Sequence, residues 1–337
     1  MGIEAKFKKV DHMTIEEILY PIQDELEAVE EVLQENGSAS KVPLLSQVGN
    51  HILSGGGKRF RPALTLLCAR LCETSTTQSI PLAASIELIH NATLLHDDII
   101  DKSSVRRGKP AAHILWGDRA GVLTANIQLS QAFSLILNAG DVACLQIVTR
   151  TLDAIVEGEL LQLFRVGLTE IDESLYQEII LHKTAYLIST ACHVGALPGK
   201  KTELTESLVS FGRDLGMAFQ IIDDLLDYTA REEFLGKQIG SDFFEGKLTL
   251  PLIITLARCN ISERNTLIQV LKASREERKT RLSWVTKLID KYDGFGYTFQ
   301  TARNHITKAT EAISAFPNNS QRQALEQIAQ FVLKRTH

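Results

Sequence analysis

Six aspartates fall into two groups of the same form. Asp97, Asp98 and Asp101 stand in LLHDDIID, and Asp223, Asp224 and Asp227 stand in FQIIDDLLD. In each group two adjacent carboxylates precede a third by four and three residues, a spacing that gathers side chains on one side of a helix. Carboxylates crowded in this way repel one another unless a cation sits between them. Hard oxygen donors suit Mg²⁺, which keeps some waters and bridges protein carboxylates to substrate phosphates. One acidic helix end is usually a solvated face. Two copies set among Leu94, Leu95, Ile221, Ile222, Leu225 and Leu226 point instead to a pair of clamps facing across a cleft. Such clamps could hold a diphosphate through several Mg²⁺.

Cations lie close to both groups in sequence. Arg106 and Arg107 follow the first motif and offer forked donors suited to phosphate oxygens. Upstream, Gly55-Gly56-Gly57-Lys58-Arg59-Phe60-Arg61-Pro62 joins a glycine-rich turn to three cations, so that backbone and charge can approach an anion closely. The Gly-x-x-x-x-Gly-Lys-Ser/Thr spacing of a nucleotide P-loop is absent. A second diphosphate pocket explains the stretch better.

Helices must position these groups. Ile86, Ile89, Thr93 and Leu94 recur at three- and four-residue steps ahead of Asp97, predicting a helix with one buried face. Residues 14–36 alternate apolar and acidic positions at helical spacing, with Thr14 and Glu17 forming a capping box. A break at Gly37 and a helix over 43–54 follow, and Pro62 suits the first turn of the next helix. Residues 111–140 predict a helix pair and 142–164 another long helix. The segment GKQIGSDFFEGK, with Asp242, Glu245 and Lys247, is a glycine-punctuated loop able to fold over the clamps as a lid. Pro251 opens another apolar helix. Beyond it, 263–291 and 297–314 predict charge-rich packing helices separated by a turn at Asp293-Gly294-Phe295-Gly296. No alternating strands, repeats or composition breaks appear, and residues 1–337 are expected to form a single domain.

Composition narrows the function classes. The chain has 337 residues, 44% of them hydrophobic and 23% charged, with a net charge of −5. This is ample for a sizeable core. The mildly acidic balance, with no basic run carrying interleaved aromatics, argues against a nucleic-acid surface. Cys68, Cys72, Cys144, Cys192 and Cys259 lack Cys-x-x-Cys spacing and predict core thiols in a reducing, cytoplasmic setting. The first residues lack the apolar run of a signal peptide. The apolar window 120–140 is interrupted by Asn126, Gln128, Gln131 and Asn138, so no transmembrane span is expected.

Taken together, GGKRFRP, LLHDDIID followed by RRGKP, EGELLQL, KTA, FQIIDDLLD and GSDFFEGKLTLP resemble the trans-prenyl diphosphate synthases, in the same order over about residues 43–255. The lack of an insertion within Asp97-Asp98-Ile99-Ile100-Asp101 resembles the long-chain, octaprenyl- and solanesyl-like branch; bacterial short-chain members usually carry two extra residues there. The resemblance implies an all-α isoprenoid synthase fold, an antiparallel helix bundle around a deep central cavity. It implies head-to-tail addition of isopentenyl diphosphate to an allylic diphosphate such as farnesyl or geranylgeranyl diphosphate. It also implies three Mg²⁺ held by Asp97, Asp101 and Asp223, with Asp98, Asp224 and Asp227 holding metal-bound water. By the same resemblance Arg106, Lys183, Lys237 and Lys247 contact the allylic diphosphate, and Lys58, Arg61, His90 and Arg107 hold isopentenyl diphosphate. Thr184 and Gln220 turn oxygens toward the developing carbocation, and the departing pyrophosphate takes the proton. Glu157-Gly158-Glu159 and Gln162 match the family too. A homodimer is implied, with at most a transient membrane contact for product release, and a quinone side-chain precursor as product.

Product length should follow from how far a chain can grow from Asp97 back along its own helix. Ala92 lies roughly 7.5 Å up the axis at about 1.5 Å per residue. Ala92 and Thr93 are small where family members with short products carry a bulky aromatic, and Ile89 and Ile86 offer aliphatic walls, so a long product is expected. Phe133 is a candidate floor. One departure from the family is Ala125-Asn126 in place of the common Gly-Asp. The alternatives are a C20 synthase and a non-catalytic subunit of a heteromeric synthase. A terpene cyclase usually follows an Asn/Asp, Ser/Thr, Glu pattern at its second metal site, and a head-to-head synthase lacks an isopentenyl pocket.

Overall fold

A computed structural model describes residues 14–38, 42–53, 58–139, 142–165, 172–229 and 239–335. The described residues are almost entirely helical. Thr14 caps α1 (Ile15–Leu19) through the reciprocal bonds with Glu17 that the sequence predicts. A 3₁₀ turn, Tyr20–Ile22, leads into α2 (Gln23–Ser38), which continues through Gly37 where a break was expected. Next come α3 (Pro43–Leu53) and α4 (Phe60–Cys72), with Pro62 in the first turn of α4.

The first acidic motif ends α5 (Thr76–Ile100), and Asp101 is its C-cap. The expectation of a single buried face is corrected. Leu82 to Ile89 are buried on every side, because α5 packs along α2, α4 and α7 at once. A helix enclosed by neighbours loses its amphipathic stripe. The arginines after α5 lie on a two-residue antiparallel hairpin, β1 (Val105–Arg106) and β2 (Lys109–Pro110), which periodicity did not suggest. Its turn holds Arg107 and Gly108 at φ 51° and 75°. Positive φ at both central residues is what tight hairpin turns of this kind require, and Gly108 supplies one of them at little cost.

The predicted helix pair and long helix are α6 (Ala112–Trp116), α7 (Asp118–Asn138) and α8 (Val142–Arg165). By length and composition alone α7, at mean hydropathy 1.3, could cross a membrane; in the fold it packs along α5. After α9 (Glu173–Ile180), one π-type turn, Leu181–Ala185, precedes α10 (Tyr186–Ala196). The second motif lies in α11 (Thr205–Thr229), followed by a short α12 (Ser241–Glu245) and α13 (Leu250–Arg258), which Pro251 helps to start.

The single helix expected over 263–291 is two, α14 (Ile261–Lys272) and α15 (Arg275–Lys291). Ser274 and Glu277 form a second capping box that starts α15. The expected turn at 293–296 is also corrected: Asp293, at φ 55°, precedes α16 (Gly294–Ala312), and Gly294 already lies in the helix. A Cβ there would stand 2.7 Å from the carbonyl oxygen of Pro251, so this glycine serves close packing of α16 on α13. The chain closes with α17 (Ser320–Lys334). All five cysteines are free thiols, and four are buried in the core.

Candidate active site

The π-type turn carries Lys183 and Thr184 into the cleft. It is gripped from two sides: a Cβ at Gly158 of α8 would meet the Cβ of His182 at 2.7 Å, and one at Gly216 of α11 would meet the Cα of Ala185 at 2.5 Å. A wide turn of this type inside a helical run is a frequent mark of a functional site. Lys183 pairs with Glu159 at 2.6 Å and donates to Gln162 Oε1 at 3.0 Å, so two of the family-matched residues of α8 hold this lysine.

The first motif is held by cations from other elements. Arg106 Nε donates to the buried Asp98 at 2.9 Å, and Lys247 Nζ to Asp101 at 3.0 Å. Burial opposes the charge on Lys247, but Asp242, Asp101 and Glu245 outweigh it and hold the ammonium well above the usual lysine range. Asp97 is pushed up to about 7, first by burial, against the pull of Lys183, and further by Glu159 and Asp101.

The second motif is held mostly by neutral donors. Asp224 accepts from the Tyr176 hydroxyl and from Gln220 Nε2, each at 2.7 Å, and Gln220 Oε1 accepts from the Thr184 hydroxyl at 2.8 Å. Burial first, then Asp242, pushes Asp224 up to about 7 although both donors favour its charged form. Asp227 is fully buried; it accepts from Ser241 Oγ at 2.9 Å and from the Asp242 N–H at 3.1 Å. The segment expected as a lid, where described, is thus tied to Asp227. Asp223 has a cationic partner, Arg335 beyond the end of α17, at 2.8 Å.

Lys247 joins the two halves, because it pairs with Asp101 and lines the same cavity as Tyr176, Lys183, Gln220 and Asp224. Among the described residues no three His, Cys, Asp or Glu side chains form a ready-made metal cage. Carboxylates lifted to about 7 by burial, Asp97 in spite of Lys183, are nevertheless acids whose charge is incompletely compensated, and the oxygen-only donor set fits an ion that takes few protein ligands and completes its shell with water and phosphate.

The second basic cluster also assembles. Arg61, His90 and Arg107 lie within one another's field. Burial lowers Arg61 to about 10 in spite of Glu87 and Asp223, and its buried Nε has no hydrogen-bond partner among the described residues. An orphaned buried guanidinium donor is the expected mark of an anion subsite. Burial, then Arg61, Arg107, Arg106 and Arg59, pushes His90 well below its usual range, so that it is neutral at pH 7. Lys58 rests 4.8 Å above the ring of Phe331. Lys237 and Gly55–Gly57 lie outside the described residues.

Several residues of the site carry no signal in sequence spacing. Glu30 and Glu87 grip Arg59, the latter at 3.0 Å, and so anchor the start of α4. Arg335 reaches the site from the far end of the chain and stacks 4.4 Å from the Phe219 ring. Tyr176 had one available signal, since seven residues before Lys183 is two helical turns and nearly the same face.

The three chain-length positions meet different neighbours. Ile89 is buried in the main core, whereas Ala92 belongs to a small cluster with Val48, Leu95, Ala112 and Ala125, and Thr93 bonds the His90 carbonyl at 2.8 Å. Ala125 is fully buried in the same small cluster as Ala92. Asn126 is exposed.

An almost entirely helical fold with paired aspartate motifs and clustered cations is the setting in which the family match falls. The polyprenyl synthetase family model matches residues 42–289, and the chain belongs to that family as a trans-prenyl diphosphate synthase. It is 35% identical to an all-trans-nonaprenyl-diphosphate synthase (geranyl-diphosphate specific) from Rhodobacter capsulatus, over 95% of this chain and 98% of that one. It is 34% identical to a short chain isoprenyl diphosphate synthase from Methanothermobacter thermautotrophicus, over 92% and 96%. A polyprenyl synthase from Caulobacter crescentus, solved with calcium and isoprenyl diphosphate, superposes with a TM-score of 0.90 at 34% identity, over 98% of this chain and 100% of that one.

Proposed function

We propose that this chain adds isopentenyl diphosphate head-to-tail to farnesyl or geranylgeranyl diphosphate with Mg²⁺, making a long-chain all-trans polyprenyl diphosphate that serves as a quinone side-chain precursor. The observation carrying this reading is Lys247, which pairs with the first motif while lining the cavity of the second. Asp97, Asp101 and Asp223 would hold three Mg²⁺, with Asp98, Asp224 and Asp227 bonding metal-bound water. When bound, Mg²⁺ neutralises the charge of the departing pyrophosphate.

Arg106, Lys183, Lys237 and Lys247 bind the allylic diphosphate in this reading, and the present carboxylate partners of Arg106, Lys183 and Lys247 mark where its oxygens would compete. Lys58, Arg61, neutral His90 and Arg107 bind isopentenyl diphosphate. Thr184 and Gln220 face the allylic cation with oxygen atoms. Isopentenyl attack forms the new carbon–carbon bond, and pyrophosphate accepts the proton that leaves.

The small side chains at Ala92 and Thr93 support a long product, although the relatives include both nonaprenyl and short-chain enzymes. The exposed apolar faces of α7 and α8, including Leu123, Ile127, Val156, Leu160 and Phe164, support a homodimer that covers them. Cytoplasmic placement, with brief membrane contact for product release, completes the reading.

Purified protein incubated with Mg²⁺, isopentenyl diphosphate and farnesyl diphosphate, with products resolved by mass, tests it. A ladder ending in one long polyprenyl diphosphate is expected. A C20 end product would leave the chemistry and overturn the length. No elongation with both substrates bound would indicate a subunit that needs a partner.

A further inference from the structure

We propose that Tyr176 is a positioning residue for condensation: by fixing Asp224 it decides which end of the Gln220 amide faces the reacting centre. The inference rests on the prenyl-transfer reading above.

Tyr176 lies on α9 with 4% of its surface exposed, and a phenol so deeply placed needs a hydrogen-bond partner. Its partner is Asp224 Oδ2, at 2.7 Å. The other carboxylate oxygen faces the Gln220 side chain, also at 2.7 Å. In its ionised form, the one metal binding requires, this carboxylate only accepts, so it draws the NH2 end of the amide. The carbonyl end must then point the opposite way, to where the Thr184 hydroxyl meets it at 2.8 Å. The order Tyr176–Asp224–Gln220–Thr184 thus runs from buried α9 to the π-type turn beside Lys183.

The two ends of an amide have nearly the same shape and opposite partial charge. A carbonyl turned toward a developing allylic cation stabilises it, and an NH2 group there opposes it. Preorganised dipoles act strongly in a water-poor site because they need no reorganisation as the charge forms. Asp224 has two donors among its side-chain contacts, and loss of the tyrosine hydroxyl removes the one that does not turn with the amide. The anchor that sorts the two amide ends is then free to turn with them. A tyrosine that merely fills the core would show no such dependence on Gln220.

The test is a double-mutant cycle of Tyr176→Phe and Gln220→Leu, in protein whose wild type elongates; a wild type that does not elongate fails the earlier reading instead. Turnover, KM for both substrates, thermal stability, and binding of Mg²⁺ with inorganic pyrophosphate by calorimetry are measured. Tyr176→Phe should lower kcat roughly 10- to 100-fold, less than or equal to direct loss of a preorganised donor. Both KM values and Mg²⁺–pyrophosphate affinity should stay within about threefold, and the change should add little in the Gln220→Leu background. Unchanged kcat, effects that multiply, or a fall matched by lost Mg²⁺–pyrophosphate binding would overturn it. If Tyr176→Phe does not fold, the cycle uses 3-fluorotyrosine at position 176, whose more acidic hydroxyl is a stronger donor. A change in kcat that disappears in Gln220→Leu supports the inference, and no change, or one that persists there, overturns it.

Discussion

The two aspartate motifs share a pattern and differ in what holds them. The first stands at the C-terminal end of α5, and Asp98 and Asp101 are each tied to a cation from elsewhere, Arg106 and Lys247. The second lies in the last turns of α11, with Asp224 and Asp227 buried and bonded by Tyr176, Gln220, Ser241 and the Asp242 N–H. A charged partner is also a potential diphosphate ligand, so substrate and metal together offer each ion of the first motif a new counter-ion. A neutral donor gains nothing from leaving a carboxylate. The first motif is therefore built to exchange partners and the second to keep them, with Asp223 and Arg335 as the exchangeable pair of the second.

The harshest way to break this contrast is to remove a proposed metal ligand from either side. Asp97→Ala and Asp223→Ala should each lower condensation by about a thousandfold or more, the loss of several kcal/mol of charge stabilisation, in steady-state assays. Exchange is tested more finely by setting Lys247→Gln against Ser241→Ala. The lysine change should raise KM for the allylic diphosphate about tenfold with a small loss of stability. The serine change should leave that KM alone and cost about 1 kcal/mol in denaturant unfolding. Equal effects on KM would erase the distinction.

The smallest effect concerns pH. Asp97 and Asp224 move from the usual 3.8 to about 7 on folding, so between these values the folded, metal-free chain binds more protons than the unfolded one. Its stability should fall as pH rises across that window. Metal binding needs the deprotonated acids, so the stabilisation by Mg²⁺ with pyrophosphate should grow as pH rises through 7. Thermal unfolding at pH 6 and pH 8, with and without the ligands, checks both signs.

Much of this was legible in residue order. Caps at Thr14, Pro62 and Pro251, and the two acidic motifs, depend on local rules and stand where the sequence places them. The failures also have local causes. A charge-rich stretch hid the Ser274 cap, and Gly294 and Gly296 suggested a turn although close packing on α13 is the reason for Gly294.

By itself the sequence determined the helical class, the family and the identity of the acids and cations, because spacing within one helix sets which side chains can act together. Only the tertiary structure decided that Arg106 meets Asp98, that Lys247 meets Asp101, and that Tyr176 and Gln220 share Asp224. Those partners come from different helices and loops. Their meeting depends on how closely the helices approach, at glycines such as Gly158 and Gly216, and on which groups burial leaves without water.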